Sequence, residues 1–250
     1  MFPVGDDNRD RTITPTLTYV LIALNVIVFV FFQGCGSDVG FTYAFSTVPE
    51  EIVTGRDLVT EGQVYVDSQT GQRFQVPGLQ PTPISVYITL LTSMFMHGGF
   101  AHLFGNMLYL WIFGDNIEDA LGRRRYLVFY LLTGVLASFT HILVTVVFDA
   151  DPRIPSLGAS GAISGVLGGY VVLFPKRRVK VLIIRVIQEV PAFVAIGLWF
   201  VFQLVSGLGM LGGQGGGVAY GAHIGGFVAG AVLVKIFALG RPLTPARARQ

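Results

Sequence analysis

Residues 158–174, Gly158-Ala159-Ser160-Gly161-Ala162-Ile163-Ser164-Gly165 running on through Val-Leu-Gly-Gly-Tyr-Val-Val-Leu to Phe174, decide how this chain is read. A serine stands at the head of an apolar run and small residues recur below it at helical spacing. About sixty residues later Ala222-His223-Ile224-Gly225-Gly226 opens a second such run, with Gly230 one turn further on. Faces of small residues let two helix backbones approach closely. Packing through Gly161, Gly165, Gly226 and Gly230 would bring Ser160 and His223 within hydrogen-bonding reach.

The rest of the chain places these two stretches in a bilayer. Hydrophobic residues make up 52% of the 250 residues, charged residues only 13%, and the mean hydropathy is +0.63. Such a composition excludes an ordinary water-soluble domain. Six apolar runs, at 16–33, 100–117, 126–148, 158–174, 188–206 and 218–238, are candidates for spans of roughly 20 residues. Lipid cannot satisfy open strand edges, so the runs are expected to be helices and the fold all-α. The implied division is an N-terminal segment 1–15, a six-helix membrane domain 16–238 and a tail 239–250. With alternating sides, 14 lysines and arginines fall on one side and 3 on the other. The positive-inside rule then makes both termini cytoplasmic. The expected home is a multi-pass position in the plasma membrane of a prokaryote.

Between the first two runs lies a long external loop, 34–99, expected to be structured. Thr47 and Glu50 have the spacing of a capping box before a short helix. Val64 and Val66 against Phe74 and Val76, around Asp67–Gly71, suggest a hairpin. The apolar stretch 84–97 is short for a span and reads as interfacial or re-entrant. The fifth loop is glycine-rich, with seven glycines among residues 206–217, as in a mobile strap. No basic run marks a nucleic-acid partner, and the single cysteine, Cys35, excludes an internal disulfide and a multi-thiolate metal site.

Orientation sharpens the chemistry. The second, fourth and sixth runs all begin at the external leaflet, and His102, Asn106, Ser160 and His223 lie near those beginnings. Ser160 stands 16 residues above Lys176, about 24 Å along a helix, so it is expected several Å below the outer surface. A serine hydroxyl needs a base to become a nucleophile, and a neutral imidazole is the usual partner. No acidic residue lies in the outer halves of these runs, which indicates a Ser160–His223 dyad and not a triad. The amides that open the fourth helix, with His102 and Asn106 four residues apart on one face, are candidate donors to an oxyanion. Ser164, one turn deeper, is the competing nucleophile. His141 reads as a packing residue in the third run, and His97 as a group at the mouth of the site or at the membrane interface.

Taken together, His102-Leu103-Phe104-Gly105-Asn106, Gly158-Ala159-Ser160-Gly161 and Ala222-His223-Ile224-Gly225-Gly226 with Gly230 resemble the rhomboid intramembrane serine proteases, as do Glu118 and the Gly122-Arg123 step. The resemblance runs from the first apolar run to the sixth. It implies a six-transmembrane-helix rhomboid-like bundle in which Ser160 attacks a peptide bond, His223 is general base and then acid, and His102, Asn106 and the Ser160 amide stabilise the oxyanion. It also implies transmembrane protein substrates cut near the external face, with neither metal nor other cofactor, and leaves the oligomeric state open. The chain departs from the family pattern in two places. Residues 84–96 lack a Trp-Arg pair, and Ser164 stands where many members carry an aromatic. The alternative is a catalytically silent rhomboid-like protein that binds membrane clients.

Overall fold

The computed structural model describes residues 2–66, 73–211 and 219–241. Six long helices occupy the six apolar runs: α1 (Thr16–Ile27, continued by a π turn Val28–Phe32), α2 (Phe100–Leu121), α3 (Arg123–Val147), α4 (Ser160–Leu173), α5 (Ala192–Leu211) and α6 (Tyr220–Phe237). Two of them, α3 and α6, are by themselves long and apolar enough to cross a membrane.

The bundle is built around α4. Its small residues let the backbone of α6 come into direct contact, so that a Cβ placed on Gly226 or Gly230 would overlap the carbonyl oxygen of Gly161 or Gly165. On the other flank a Cβ on Gly165 would overlap Thr133 of α3. Below these contacts Phe113, Phe129, Tyr130, Leu167 and Tyr170 are wholly buried and form the apolar centre. Packing of this kind fixes interhelical distance rigidly, because neither partner has side-chain freedom to absorb a shift.

At the basic end the ends of the helices are tied by carboxylates. Glu118 of α2 is fully buried and accepts from the N–H groups of Leu17 and Thr18 at 2.9 and 2.7 Å and from the Thr18 hydroxyl at 2.8 Å. It therefore caps α1, whose own N-cap residue, Pro15, provides no side-chain acceptor. Asp119 accepts in the same way from Thr12 and Ile13.

The fold is mostly helical but not the all-α one that the apolar runs led us to expect. Strands β1 (Phe2–Asp6), β4 (Arg178–Ile183) and β5 (Val186–Pro191) form an antiparallel sheet in the order β1-β4-β5. Arg178-Val179-Lys180-Val181 alternates with period two, and Val179 and Val181 are buried while the two cations are exposed. Strand β5 explains why α5 starts at Ala192 and not at 188. The long loop holds the expected hairpin, β2 (Gln63–Val66) with β3 (Arg73–Val76); its turn lies outside the described residues, as do residues 212–217 of the fifth loop and the tail beyond 241. A short helix does follow Thr47, at Pro49–Thr54, but its N-cap is Val48 and the Thr47 hydroxyl donates instead to the carbonyl of Thr89 at 2.9 Å. Proline at the first helical position starts this turn without a side-chain cap. The stretch 84–97 is a broken helical segment made of Val86–Ile88, Thr89–Thr92 and Ser93–Phe95.

Asp6, at the end of β1, joins the N-terminal segment to the bundle. Its carboxylate accepts from Asn116 Nδ2 at 2.7 Å and from the Tyr170 hydroxyl at 2.6 Å. Burial pushes this carboxyl up to about 7; the nearby Asp115 carboxylate adds to the rise, while the Tyr170 hydroxyl and the Arg177 guanidinium oppose it. Unfolded, the same group titrates near 4. Its contribution to stability is thus fully present below about pH 4 and is lost as the pH rises to about 7. The Tm in detergent is expected to fall from pH 5 to pH 8, and to fall less in Asp6→Asn, which has no proton to lose. Parallel Tm profiles for the two proteins would remove this assignment.

Candidate functional site

The end of the bundle opposite the basic sheet holds a cavity of about 880 Å³, lined among others by His102, Asn106, Ser160, Ser164, Trp199 and His223. Ser160 is the first residue of α4 and follows the tight segment Leu157-Gly158-Ala159. Gly158 has φ +122°, and a Cβ there would stand 2.9 Å from His102 Cε1 and Nε2. Only glycine meets both demands at once. Its N–H donates to the Ser93 carbonyl at 2.8 Å, which ties the broken segment of the long loop to the start of α4.

His223 lies in the first turn of α6, and its Nε2 is 2.8 Å from Ser160 Oγ. Its other nitrogen, Nδ1, is 2.8 Å from Oε1 of Gln203 on α5. An amide oxygen can only accept, so Nδ1 carries the proton and Nε2 is left with a lone pair toward the serine hydroxyl. Trp199 and Tyr220 flank the imidazole, with ring centroids 6.1 and 6.3 Å away. Trp199 and Gln203 are four residues apart and present one face of α5 to His223.

The donors are equally well placed. The Gly98 N–H donates to His102 Nδ1 at 3.3 Å, which leaves the proton of the neutral ring on Nε2. Asn106 is buried, and its Nδ2 has no hydrogen-bond partner among the described residues. A buried amide with an unpartnered donor, lining the same cavity as the Ser160 hydroxyl, is able to receive an acceptor that enters the cavity. The Ser160 N–H, in the first turn of α4, is among the amides that have no partner within the helix. Gln33 fixes the approach to His102: its side chain donates to the His97 carbonyl and accepts from the His97 N–H, both at 2.9 Å.

All four residues singled out from the sequence thus line one cavity. Ser164 is occupied otherwise, since its hydroxyl donates to the Ser160 carbonyl at 2.6 Å. His97 is wholly buried and packs edge-on against His102, with ring centroids 5.1 Å apart. It is therefore behind the site and not at its mouth. His141 lines the cavity, against the expectation of a packing residue. The sequence reading missed Gln203 and Trp199. A lone amide in the apolar stretch 192–205 was the available signal, because polar side chains in such runs carry a cost that needs a reason.

Replacing Gln203 with leucine would release the tautomer and orientation of His223 while keeping side-chain volume. The charged counterpart in well-studied serine hydrolases contributes about 10⁴-fold to kcat. A neutral amide lacks the charge term, so a loss of about 10- to 100-fold in kcat with little change in KM is expected, measured by steady-state cleavage. An unchanged kcat would show that Gln203 only packs.

Comparison with known proteins gives the family. The Rhomboid domain family model matches residues 85–239. Rhomboid protease GluP of Bacillus subtilis is 29% identical over 217 residues, covering 84% of this chain and 35% of the relative. Rhomboid protein 1, mitochondrial, of Saccharomyces cerevisiae is 31% identical over 154 residues, 61% of this chain and 42% of the relative. The human presenilin-associated rhomboid-like protein, mitochondrial, is 33% identical over 120 residues, 44% of this chain and 31% of the relative. The chain therefore spans less than half the length of these relatives. The matched region contains every residue of the cavity discussed above and takes in more than half of the chain, which belongs to the rhomboid family.

Proposed function

We propose that the chain is an intramembrane serine endopeptidase that hydrolyses peptide bonds in or near the transmembrane segments of membrane-protein substrates. The observation that carries this reading is the 2.8 Å approach of His223 Nε2 to Ser160 Oγ, with Gln203 holding the opposite nitrogen. Two polar groups from helices 63 residues apart meet in the geometry a nucleophile and its base require.

In the proposed reaction Ser160 Oγ attacks the scissile carbonyl carbon while its proton passes to His223 Nε2. Negative charge develops on the carbonyl oxygen, where the Ser160 N–H, His102 Nε2–H and Asn106 Nδ2–H converge as donors. Collapse of this intermediate breaks the C–N bond, and His223 returns the proton to the departing amine. Water then attacks the acyl-serine, with His223 again accepting a proton, and releases the new carboxylate and the free serine. No metal or other cofactor enters these steps.

We read the six helices as spans, with the basic sheet and both ends of the described chain in the cytoplasm and the cavity opening toward the external leaflet. The 14-to-3 partition of lysine and arginine supports that orientation. Relatives named as mitochondrial stand beside the one from Bacillus subtilis, so the proposal is an integral membrane position without choice of compartment. The test is cleavage of a purified single-span reporter in proteoliposomes. Product masses should place the cut near the membrane boundary opposite the basic end; no cleavage of any single-span reporter would count against the enzyme and favour the client-binding alternative.

A further inference from the structure

We infer that the tip of the β4–β5 hairpin, Ile183–Ile187, is a lipid-inserting element seated at the headgroup–acyl boundary of the leaflet at the basic end. The first observation is the turn itself. Ile183 pairs with Val186, so Ile184 and Arg185 form a two-residue loop, and Ile184 has φ +58°. Such turns favour glycine, asparagine or aspartate. A β-branched residue there is a backbone outlier. Ile184 is also 93% exposed. In water neither its backbone nor its side chain has a reason to be isoleucine, and strain of this kind points to a use.

The second observation is a gradient along the hairpin. Its base carries Arg178, and Lys180 lies directly opposite Glu189. Its tip exposes Ile183, Val186 and Ile187, and Phe2 of β1, paired with Leu182, adds a further exposed apolar side chain. The third observation is height. Arg177 hydrogen-bonds Asn116 near the charged end of α2, whereas Val181 lies in a cleft with Tyr109, Phe113, Ile196 and Trp199. Strand β4 therefore climbs from the polar end of α2 to its apolar turns. Two or three further residues at about 3.3 Å each carry the tip about 7–10 Å beyond Val181, away from the cations at the hairpin's base.

Chemistry selects lipid as the occupant. The hairpin leads through Pro191 directly into α5, an apolar helix, so its base is held at the membrane surface by the chain itself. Lys176, Arg178 and Lys180 are exposed beside it, a match for an anionic leaflet. Arg185, at the turn, has the reach to return its guanidinium to a lipid phosphate. Open sheet edges are excluded from the hydrocarbon centre, which limits insertion to the boundary. The inference rests on the membrane position of the chain and not on catalysis.

The test replaces the single cysteine (Cys35→Ser) and adds Ile184→Cys, labelled with nitrobenzoxadiazole, in nanodiscs of phosphatidylcholine and phosphatidylglycerol. Acyl-chain doxyl lipids should quench this probe several-fold more than they quench one at Val59→Cys, an exposed position in the loop 34–99, and iodide should quench it several-fold less. Ile187→Cys, scored in the same way, serves if the turn variant does not fold. Iodide access equal to that at Val59 places the tip in water, and protection from both quenchers places it against protein; either result overturns the inference. Failure of the unsubstituted chain to enter nanodiscs overturns it together with the membrane reading, whereas an inactive chain whose tip lies in lipid leaves it standing.

Discussion

His223→Ala is expected to lower reporter cleavage in proteoliposomes by at least about 10³-fold, with Ser160→Ala at or below detection and the double variant no worse than Ser160→Ala alone. The non-additivity is as important as the magnitude. Residues that act as one unit lose most of their effect when the first is removed, and the remaining acceleration then comes from binding and oxyanion donors, about 10³-fold over water in well-studied serine hydrolases. On the proposed function, the 2.8 Å contact between the two side chains is what would couple them into such a unit. Neither substitution removes a large apolar contact, so folding, followed by detergent Tm, should change little. Equal residual activity in wild type and His223→Ala would mean that another group takes the proton.

The second large effect is structural and reaches the site from a distance. Gly230→Ala is expected to reduce cleavage at least about 100-fold and to lower stability sharply, although residue 230 is two turns from His223. A Cβ there overlaps the Gly165 carbonyl oxygen, which is backbone and cannot rotate away. Helices α4 and α6 must then part, and those are the helices that carry Ser160 and His223. A displacement of about 1 Å is enough to cost 10²-fold when reacting groups must be aligned. Gly197→Ala is the control, since a Cβ at Gly197 meets nothing within 4 Å, and it should keep activity and leave stability equal or slightly raised. Loss of activity in both variants would indicate a general intolerance of larger residues and not this contact.

The contrast between these glycines shows how far the sequence could be read. Polar residues at the heads of glycine-spaced runs singled out Ser160 and His223, and their spacing singled out His102 and Asn106 as residues of the same cavity, because helix periodicity is a local property. Gln203 and Trp199 were not found, since their meaning depends on α5 lying beside α6, which no local pattern specifies. The β1-β4-β5 sheet was missed for two reasons. Arg178-Val179-Lys180-Val181 was read for its charge and not its alternation, and Phe2–Asp6 pairs with a strand more than 170 residues away. Only the end of strand β5, residues 188–191, fell inside the fifth run, where Val190 and Pro191 lead without a break into the apolar helix. His141 faces the cavity through the rotation of α3, a quantity that an almost uniformly apolar helix does not encode.

The central claim is that Ser160 is a nucleophile activated by His223. Its most direct measurement is intact-mass and peptide analysis of the detergent-purified protein after treatment with a fluorophosphonate. One adduct per chain is predicted, on the peptide containing Ser160 and localised to that residue by fragmentation, with no adduct in His223→Ala under the same conditions. An adduct on Ser164, or labelling of Ser160 that persists undiminished in His223→Ala, would contradict the account.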